Sequence, residues 1–167
     1  DGTREVIARF AAEHPELRVM VVDNALRHIP AGINCAIKAA SGDLIVRMDG
    51  HSIPEVDYIA NCVRGHEQGL GDNIGGVWDI RPGGTNWVAR SIAVAAGHPL
   101  GAGDAGYRLN SPAGEVDTVP FGSFQKELFE RIGVFNENLL SNEDYEFNAR
   151  IRKNGGKVYL DPSIRCR

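Results

Sequence analysis

Asp49-Gly50-His51 places a carboxylate and an imidazole two positions apart at the end of an apolar run, Leu44-Ile45-Val46-Arg47-Met48. A strand burying Leu44, Val46 and Met48 would deliver both side chains to the carboxyl edge of its sheet, where open α/β folds bind ligands. Both side chains could then face one ion. Mg²⁺ and Mn²⁺ take oxygen ligands, and Mg²⁺ commonly binds through one or two carboxylates plus substrate phosphates. Asp49 suits that role, and the imidazole of His51, a softer donor, favours Mn²⁺. The competing reading is a plain strand-end turn, since Asp-Gly is a favoured turn pair.

A second acidic cluster, Asn142-Glu143-Asp144-Tyr145-Glu146, opens an amphipathic segment far downstream. On a helix starting near Glu143, residues three and four apart are neighbours, so Asp144 shares a stripe with Phe147 and Ile151. An acid on an inward stripe suits a general base. Burial would raise its pKa, and the helix N-terminus would hold it down. First-turn acids that complement the helix dipole, with Asn142 as cap and Arg150, Arg152 and Lys153 balancing the far end, explain Glu143 and Glu146 well and Asp144 poorly. A metal-binding cluster and a base together suggest an enzyme acting on a phosphorylated substrate.

Strand and helix signals alternate along the chain, which predicts a mostly parallel sheet with helical crossovers. Helices are expected from Val6 to Ala11, from Pro30 to Ala40, from Pro54 to His66 and from Asn86 to Ala96. Two more should run from a Ser123 cap through Ile132 and from Glu143 to Lys153. Strands are expected at Leu17–Val22, Leu44–Met48, Ile74–Ile80, Val116–Phe121 and Lys157–Leu160. The Gly- and Pro-rich stretch from Gly97 to Gly114 reads as a mobile loop over a site.

The 167 residues suffice for one domain with a real core and not comfortably for two. With 43% hydrophobic and 24% charged residues the composition is that of an ordinary globular protein. A net charge of −4 and a pI near 5.7 argue against nonspecific nucleic-acid binding. The longest apolar stretch falls far below the roughly 20 residues of a membrane-spanning helix, and no signal-peptide pattern is visible. Cys35, Cys62 and Cys166 show no CxxC spacing; the first two read as small buried hydrophobes in a reducing compartment.

Gly101-Ala102-Gly103-Asp104-Ala105-Gly106 matches G-x-G-x-x-G letter for letter. The dinucleotide reading needs a strand before it and a helix after it, and neither is expected here. His14, His28, His66 and His98 show no ligand spacing, and Trp78 and Trp87 read as core residues.

Three segments carry a family resemblance. Ala40 through His51 resembles the segment entering the DxD metal motif of family 2 glycosyltransferases with a GT-A-type fold. Val116 through Ser123, followed by Phe129 through Glu137, resembles the acceptor-side segment of those enzymes. Asn142-Glu143-Asp144-Tyr145-Glu146-Phe147 resembles their catalytic-base motif. Order and spacing match over nearly the whole chain, most closely the bacterial exopolysaccharide enzymes of the succinoglycan-synthesis kind. The resemblance implies a single catalytic domain over 1–167, a Rossmann-like, mostly parallel sheet flanked by helices. It further implies transfer of a sugar from a nucleotide-sugar, commonly a UDP-sugar, to an acceptor hydroxyl with inversion.

By the same resemblance Asp144 is the base, and Asp49 and His51 hold Mn²⁺ or Mg²⁺, with His51 replacing the second Asp of the common motif. Asp49, Asn34, Gly122, Ser123 and Glu143 bind nucleotide-sugar or acceptor. The acceptor is a saccharide or lipid-linked saccharide, with no nucleic-acid partner. The expected location is cytoplasmic, with the full-length protein at the inner face of the plasma membrane. Asp1-Gly2-Thr3 resembles the tail of the family's Asp-Gly-Ser-x-Asp-Gly-Thr segment, and no Q-x-x-R-W motif is present. The chain therefore reads as a fragment truncated at both ends, lacking its N-terminal strands, weakly active alone and prone to associate through Leu17–Val22. Two other readings remain open: a noncatalytic nucleotide-sugar-binding or interaction module, and a paired-carboxylate glycoside hydrolase.

Overall fold

The computed structural model describes residues 2–103, 105–109 and 111–167. Five strands form one sheet in the order β1-β4-β2-β5-β3, with β1 Leu44–Val46, β2 Asn73–Trp78, β3 Gly114–Glu115, β4 Ser123–Gln125 and β5 Val158–Cys166. β2 and β5 are parallel, while β4 runs antiparallel to both β1 and β2, and β3 antiparallel to β5. The α/β class is as expected. The sheet is mixed, with β1, β2 and β5 sharing a direction and β4 and β3 opposing it.

Helices α1 Thr3–Glu13, α2 Ile29–Ala39, α3 Tyr58–Glu67, α4 Trp87–Ala96, α5 Pro99–Ala102, α6 Lys126–Ile132 and α7 Glu143–Lys153 surround the sheet, with a 3₁₀ turn at Gly106–Arg108. α2 carries Pro30 in its first turn, where a missing N–H costs nothing. α6 stops at Gly133, where φ is 83°. α7 carries Glu143, Asp144 and Glu146 in its first turn and Arg150, Arg152 and Lys153 in its last, complementing the dipole at both ends. The buried core holds Phe124, Phe129, Phe135 and Phe147, with Phe135 stacked on Phe147 at a centroid distance of 4.4 Å. A second cluster packs Tyr58, Cys62, Ile74 and Ile164 on the α3 side.

Several expected elements differ. Leu17–Val22 forms no strand: it lies beyond the sheet, pairs with no strand among the described residues, and leaves its apolar side chains 38 to 52% exposed. Val116–Phe121 is not a strand either. Pro120 offers no donor and Phe121 sits at φ 49°, turning the chain so that Gly122 leads into β4 at Ser123. Ser123 caps no helix, because its hydroxyl, inside β4, donates to Ile74 O at 2.7 Å. Asn142 occupies the cap position of α7 in the left-handed region, φ 59°, with no side-chain cap bond. β5 runs to Cys166, well past Leu160. Trp87 is 77% exposed and α4 buries none of its residues. The stretch from Gly97 to Gly114 carries α5 and the 3₁₀ turn; Asp104 of its glycine motif lies outside the described residues, as does Asp1. Among the described residues, no helix is long and apolar enough to cross a membrane.

His66 on α3 is part-buried, its Nε2 3.1 Å from both the carbonyl and the hydroxyl oxygen of Ser123. Burial pushes its pKa below the ordinary 6.5, against the Ser123 carbonyl and the Asp72 charge, which favour the cation. A folded-state pKa below the unfolded one means that the unfolded chain takes up protons first. Stability is then fully present above pH 6.5 and declines as pH falls through the window beneath it. Substituting His66→Gln should flatten the loss of melting temperature between pH 7.5 and 5.5 relative to the unmodified protein, measured by thermal denaturation at both values.

Candidate functional site

A charge inside an apolar strand needs a partner, and Arg47 has two. Leaving β1, its backbone N–H donates to Gly122 O at 3.0 Å. Its Nε donates to Asp49 Oδ1 at 3.2 Å, and its Nη1 lies 3.2 Å from Glu143 Oε1. Glu143 is 6% exposed, so its carboxylate depends on that guanidinium. The bridge fixes the first turn of α7 against the carboxyl end of β1. Asp144, whose Oδ1 accepts the Tyr145 N–H at 2.8 Å, thereby comes to line the same cavity as Asp49.

Between them lies a cavity of about 150 Å³. It is lined by Arg47, Asp49 and His51 after β1, by Trp78 and Tyr107, by Pro120, Phe121 and Gly122, and by Asp144, Phe147 and Asn148 from α7. Small-molecule sites usually enclose roughly 300–1,000 Å³, so these walls close around one ring-sized group. The floor is polar beneath an aromatic bed. Asn73 Nδ2 donates to Asn148 Oδ1 at 2.7 Å, and Asn148 Nδ2 donates to Thr118 Oγ1 at 3.0 Å. The buried Oδ1 of Asn73 has no partner. A Cβ on Gly122 would collide with the Asn73 amide, which is why glycine stands there. Of the three non-glycine residues with positive φ among the described residues, Phe121 lines this space and Asn142 precedes Glu143. Left-handed backbone costs about 1–2 kcal/mol per residue, and such strain gathers at functional sites.

Of the residues singled out from the sequence, Asp49, His51, Gly122 and Asp144 line one cavity. Glu143 stands behind it, joined through Arg47; the helical stripe through Asp144 did not reveal that Glu143 is the more buried acid. Ser123 is fully buried in β4 and does not line the cavity. Asn34 lies elsewhere, donating to Phe135 O and Glu137 Oε1 at 2.9 and 2.8 Å and accepting from Phe135 N. That amide is a clasp between α2 and the 135–137 turn, with both of its hydrogens committed. Arg47, Trp78 and Tyr107 were not anticipated. Only Arg47 left a signal, a lone cation in an apolar strand.

His51 packs near Trp78 and Phe121, each at 6.4 Å between ring centroids. Among the described residues, no group of three or more His, Cys, Asp or Glu side chains is arranged to hold a metal. Asp49 and His51 offer one carboxylate and one imidazole, a donor set that suits an ion keeping most of its coordination for substrate phosphates and water. The residues present fit such an ion.

Replacing Arg47 by Met should cost about 3–5 kcal/mol, because it leaves Glu143 buried and unpaired. A second change, Glu143→Gln in the same protein, should recover much of that loss. Chemical denaturation of both variants checks this, and failure of the second change to recover stability would show that the pair is not what ties α7 to β1.

Comparison with known proteins identifies the family. Residues 1–133 match the family described as Glycosyl transferase family 2. The succinoglycan biosynthesis protein ExoA of Rhizobium meliloti (strain 1021) is 29% identical over 162 residues, 96% of this chain and 48% of that protein. A dolichyl N-acetyl-alpha-D-glucosaminyl phosphate 3-beta-D-2,3-diacetamido-2,3-dideoxy-beta-D-glucuronosyltransferase of Methanococcus voltae is 24% identical, covering 98% of this chain and 52% of its own. The chain thus spans about half the length of these curated relatives. In structure it is similar to the mannosyltransferase PcManGT of Pyrobaculum calidifontis, solved in complex with GDP-Man and Mn²⁺. That match has a TM-score of 0.71 at 22% identity, over 99% of this chain and 44% of that one. S. aureus TarS 1–349 in complex with UDP follows at 0.64 and 16%, over 96% and 45%. With the family pattern matched over most of its length on a GT-A glycosyltransferase fold, the chain belongs to glycosyl transferase family 2.

Proposed function

We propose that this chain is the catalytic part of an inverting glycosyltransferase that moves a sugar from a nucleotide-sugar to an acceptor hydroxyl in polysaccharide biosynthesis. The observation that carries this reading is the convergence of Asp49, His51 and Asp144 on one cavity, from positions nearly a hundred residues apart. Family membership supports the reaction class. Neighbouring structures hold GDP-Man with Mn²⁺, UDP or UDP-GlcNAc, which supports a nucleotide-sugar donor. The name of the succinoglycan relative supports a saccharide or lipid-linked saccharide acceptor. We further propose that the full-length protein works at the cytoplasmic face of the plasma membrane, where such an acceptor would be presented.

In the proposed mechanism Asp144 accepts the proton of the acceptor hydroxyl. The freed oxygen attacks the anomeric carbon, and the bond from that carbon to the diphosphate oxygen breaks, the electron pair leaving with the nucleoside diphosphate. Attack opposite the leaving group inverts the configuration. Asp49 and His51 would hold Mn²⁺ or Mg²⁺, which when bound neutralises charge on the leaving diphosphate. Arg47 holds Asp49 and, through Glu143, the start of the helix that carries Asp144, so the acid on each side of the transferred sugar is set by one guanidinium. Phe121, Trp78 and Tyr107 exclude water that would otherwise compete with the acceptor. The aromatic walls and the Asn73–Asn148 floor suit a pyranose, with apolar faces and a hydroxyl rim.

Changing Asp144 to Asn in the full-length enzyme should lower turnover about 10²–10⁴-fold, the usual worth of a general base, with donor affinity little altered. A variant with near-normal turnover would refute the assignment. Calorimetric titration with UDP should give tighter binding in Mn²⁺ than in EDTA, and Asp49→Ala should abolish the difference; equal affinities in the unmodified protein would remove the metal role.

A further inference from the structure

We infer that Arg47, beyond holding two carboxylates, binds the leaving diphosphate directly through its remaining guanidinium nitrogen. This rests on the proposed seating of a nucleotide-sugar diphosphate at Asp49. Among the described residues, Arg47 is the one Lys or Arg that lines the cavity, and it shares that lining with two carboxylates, Asp49 and Asp144. A diphosphate entering there adds negative charge to a space that already holds more acid than base and where water screens poorly. A divalent ion on Asp49 and His51 would answer part of that charge. Arg47 is the answer that the polypeptide itself supplies.

Its hydrogen bonding leaves it able to act. Nε donates to Asp49 and Nη1 faces Glu143, each at 3.2 Å. Nη2, the third nitrogen of the same plane, has no partner among the described residues. Nor is it buried: the buried side-chain atoms that lack a partner there are Asn73 Oδ1 and Arg108 Nε. Two carboxylates therefore fix the plane of the guanidinium while the N–H donors of Nη2 stay open to a ligand. Both held contacts are also longer than the usual spacing of about 2.7–2.9 Å between a cationic nitrogen and a carboxylate, so neither saturates the charge. Because Asp49 takes one arm of the fork, an anion drawn to Asp49 through a metal ion comes up beside the same guanidinium. As the bond from the anomeric carbon breaks, charge grows on the diphosphate, and a donor already fixed in place stabilises it without reorganising.

The test uses the full-length protein and two probes, inorganic pyrophosphate for the diphosphate and uridine, which carries none, each titrated calorimetrically in Mn²⁺ and in EDTA. Arg47→Met combined with Glu143→Gln removes one charge of each sign, so the net charge is unaltered. This pair of changes should weaken pyrophosphate binding about tenfold or more in both media, the worth of a hydrogen bond to a charged group, and leave uridine binding as it was. Glu143→Gln alone should tighten pyrophosphate binding, because Arg47 then has one carboxylate fewer to neutralise; a purely structural role would not produce that sign. Arg47→Lys, which keeps a charge against Glu143 without the fork, should show the loss while retaining the fold. A loss seen in Mn²⁺ and not in EDTA would overturn the inference, since Arg47 would then act only by holding Asp49 for the ion. Unchanged affinities in the double variant, no tightening in Glu143→Gln, or no pyrophosphate binding in EDTA by the unmodified protein would overturn it too. Failure of the underlying donor reading looks different: pyrophosphate would stay unbound even in Mn²⁺.

Discussion

One guanidinium organises this molecule's chemistry. Arg47 leaves the end of a sheet strand and must be neutralised where water has little access, and the two carboxylates that do so come from the next turn and from a helix far along the chain. A buried ion pair of this kind is weak evidence for stability, since apolar residues of similar shape often do as well. Its geometric content is larger. A carboxylate as buried as Glu143 has no cheap alternative to the place where Arg47 waits, so α7 docks in one register, and the side chain after Glu143 has to enter the cavity. Specificity of position, more than free energy, is what the pair contributes here.

The same economy governs the cavity floor. Gly122 comes so close to Asn73 that no larger residue fits, and the Phe121 turn that brings it there runs against the conformational preference of a bulky residue. Packing from below compels both. Phe124, Phe135 and Phe147 fill the space under the loop and meet one another at 4.4 to 6.3 Å between centroids. The loop crosses an aromatic bed that cannot yield, so the backbone takes the strain.

Much of this was readable beforehand, for reasons that differ by element. α2, α3, α6 and α7 announced themselves because each combines a 3.6-residue apolar period with a proline, acid or glycine at a boundary. β1 and β2 were legible as apolar runs, and Asp49, His51 and Asp144 could be singled out because polar residues directly after a buried strand or on an inward stripe have few passive explanations. Leu17–Val22 misled because strand character lies in the neighbour as much as in the residues. Val116–Phe121 misled because its alternation was that of a loop folded over a core, and only Pro120 hinted at the interruption. Trp78, Tyr107 and the burial of Glu143 depend on contacts between elements distant in sequence, which no local period records.

α4 is the odd piece of the fold. Apart from Arg90 and Ser91 its residues are apolar, yet none is buried, and α5 behind it is equally uncovered. Segments with so few buried contacts open to solvent at a small part of the free energy that unfolds a core strand. Tyr107 rests on the core, but the chain reaches it by way of this loosely held hairpin. The cavity is therefore uneven in stiffness. Its Asp49, Asp144 and Trp78 walls are held by the sheet and α7, and its Tyr107 wall adjoins the segment that yields first, so a ligand too large for the resting space would be admitted by displacing that one wall while the spacing of the two acids stayed fixed.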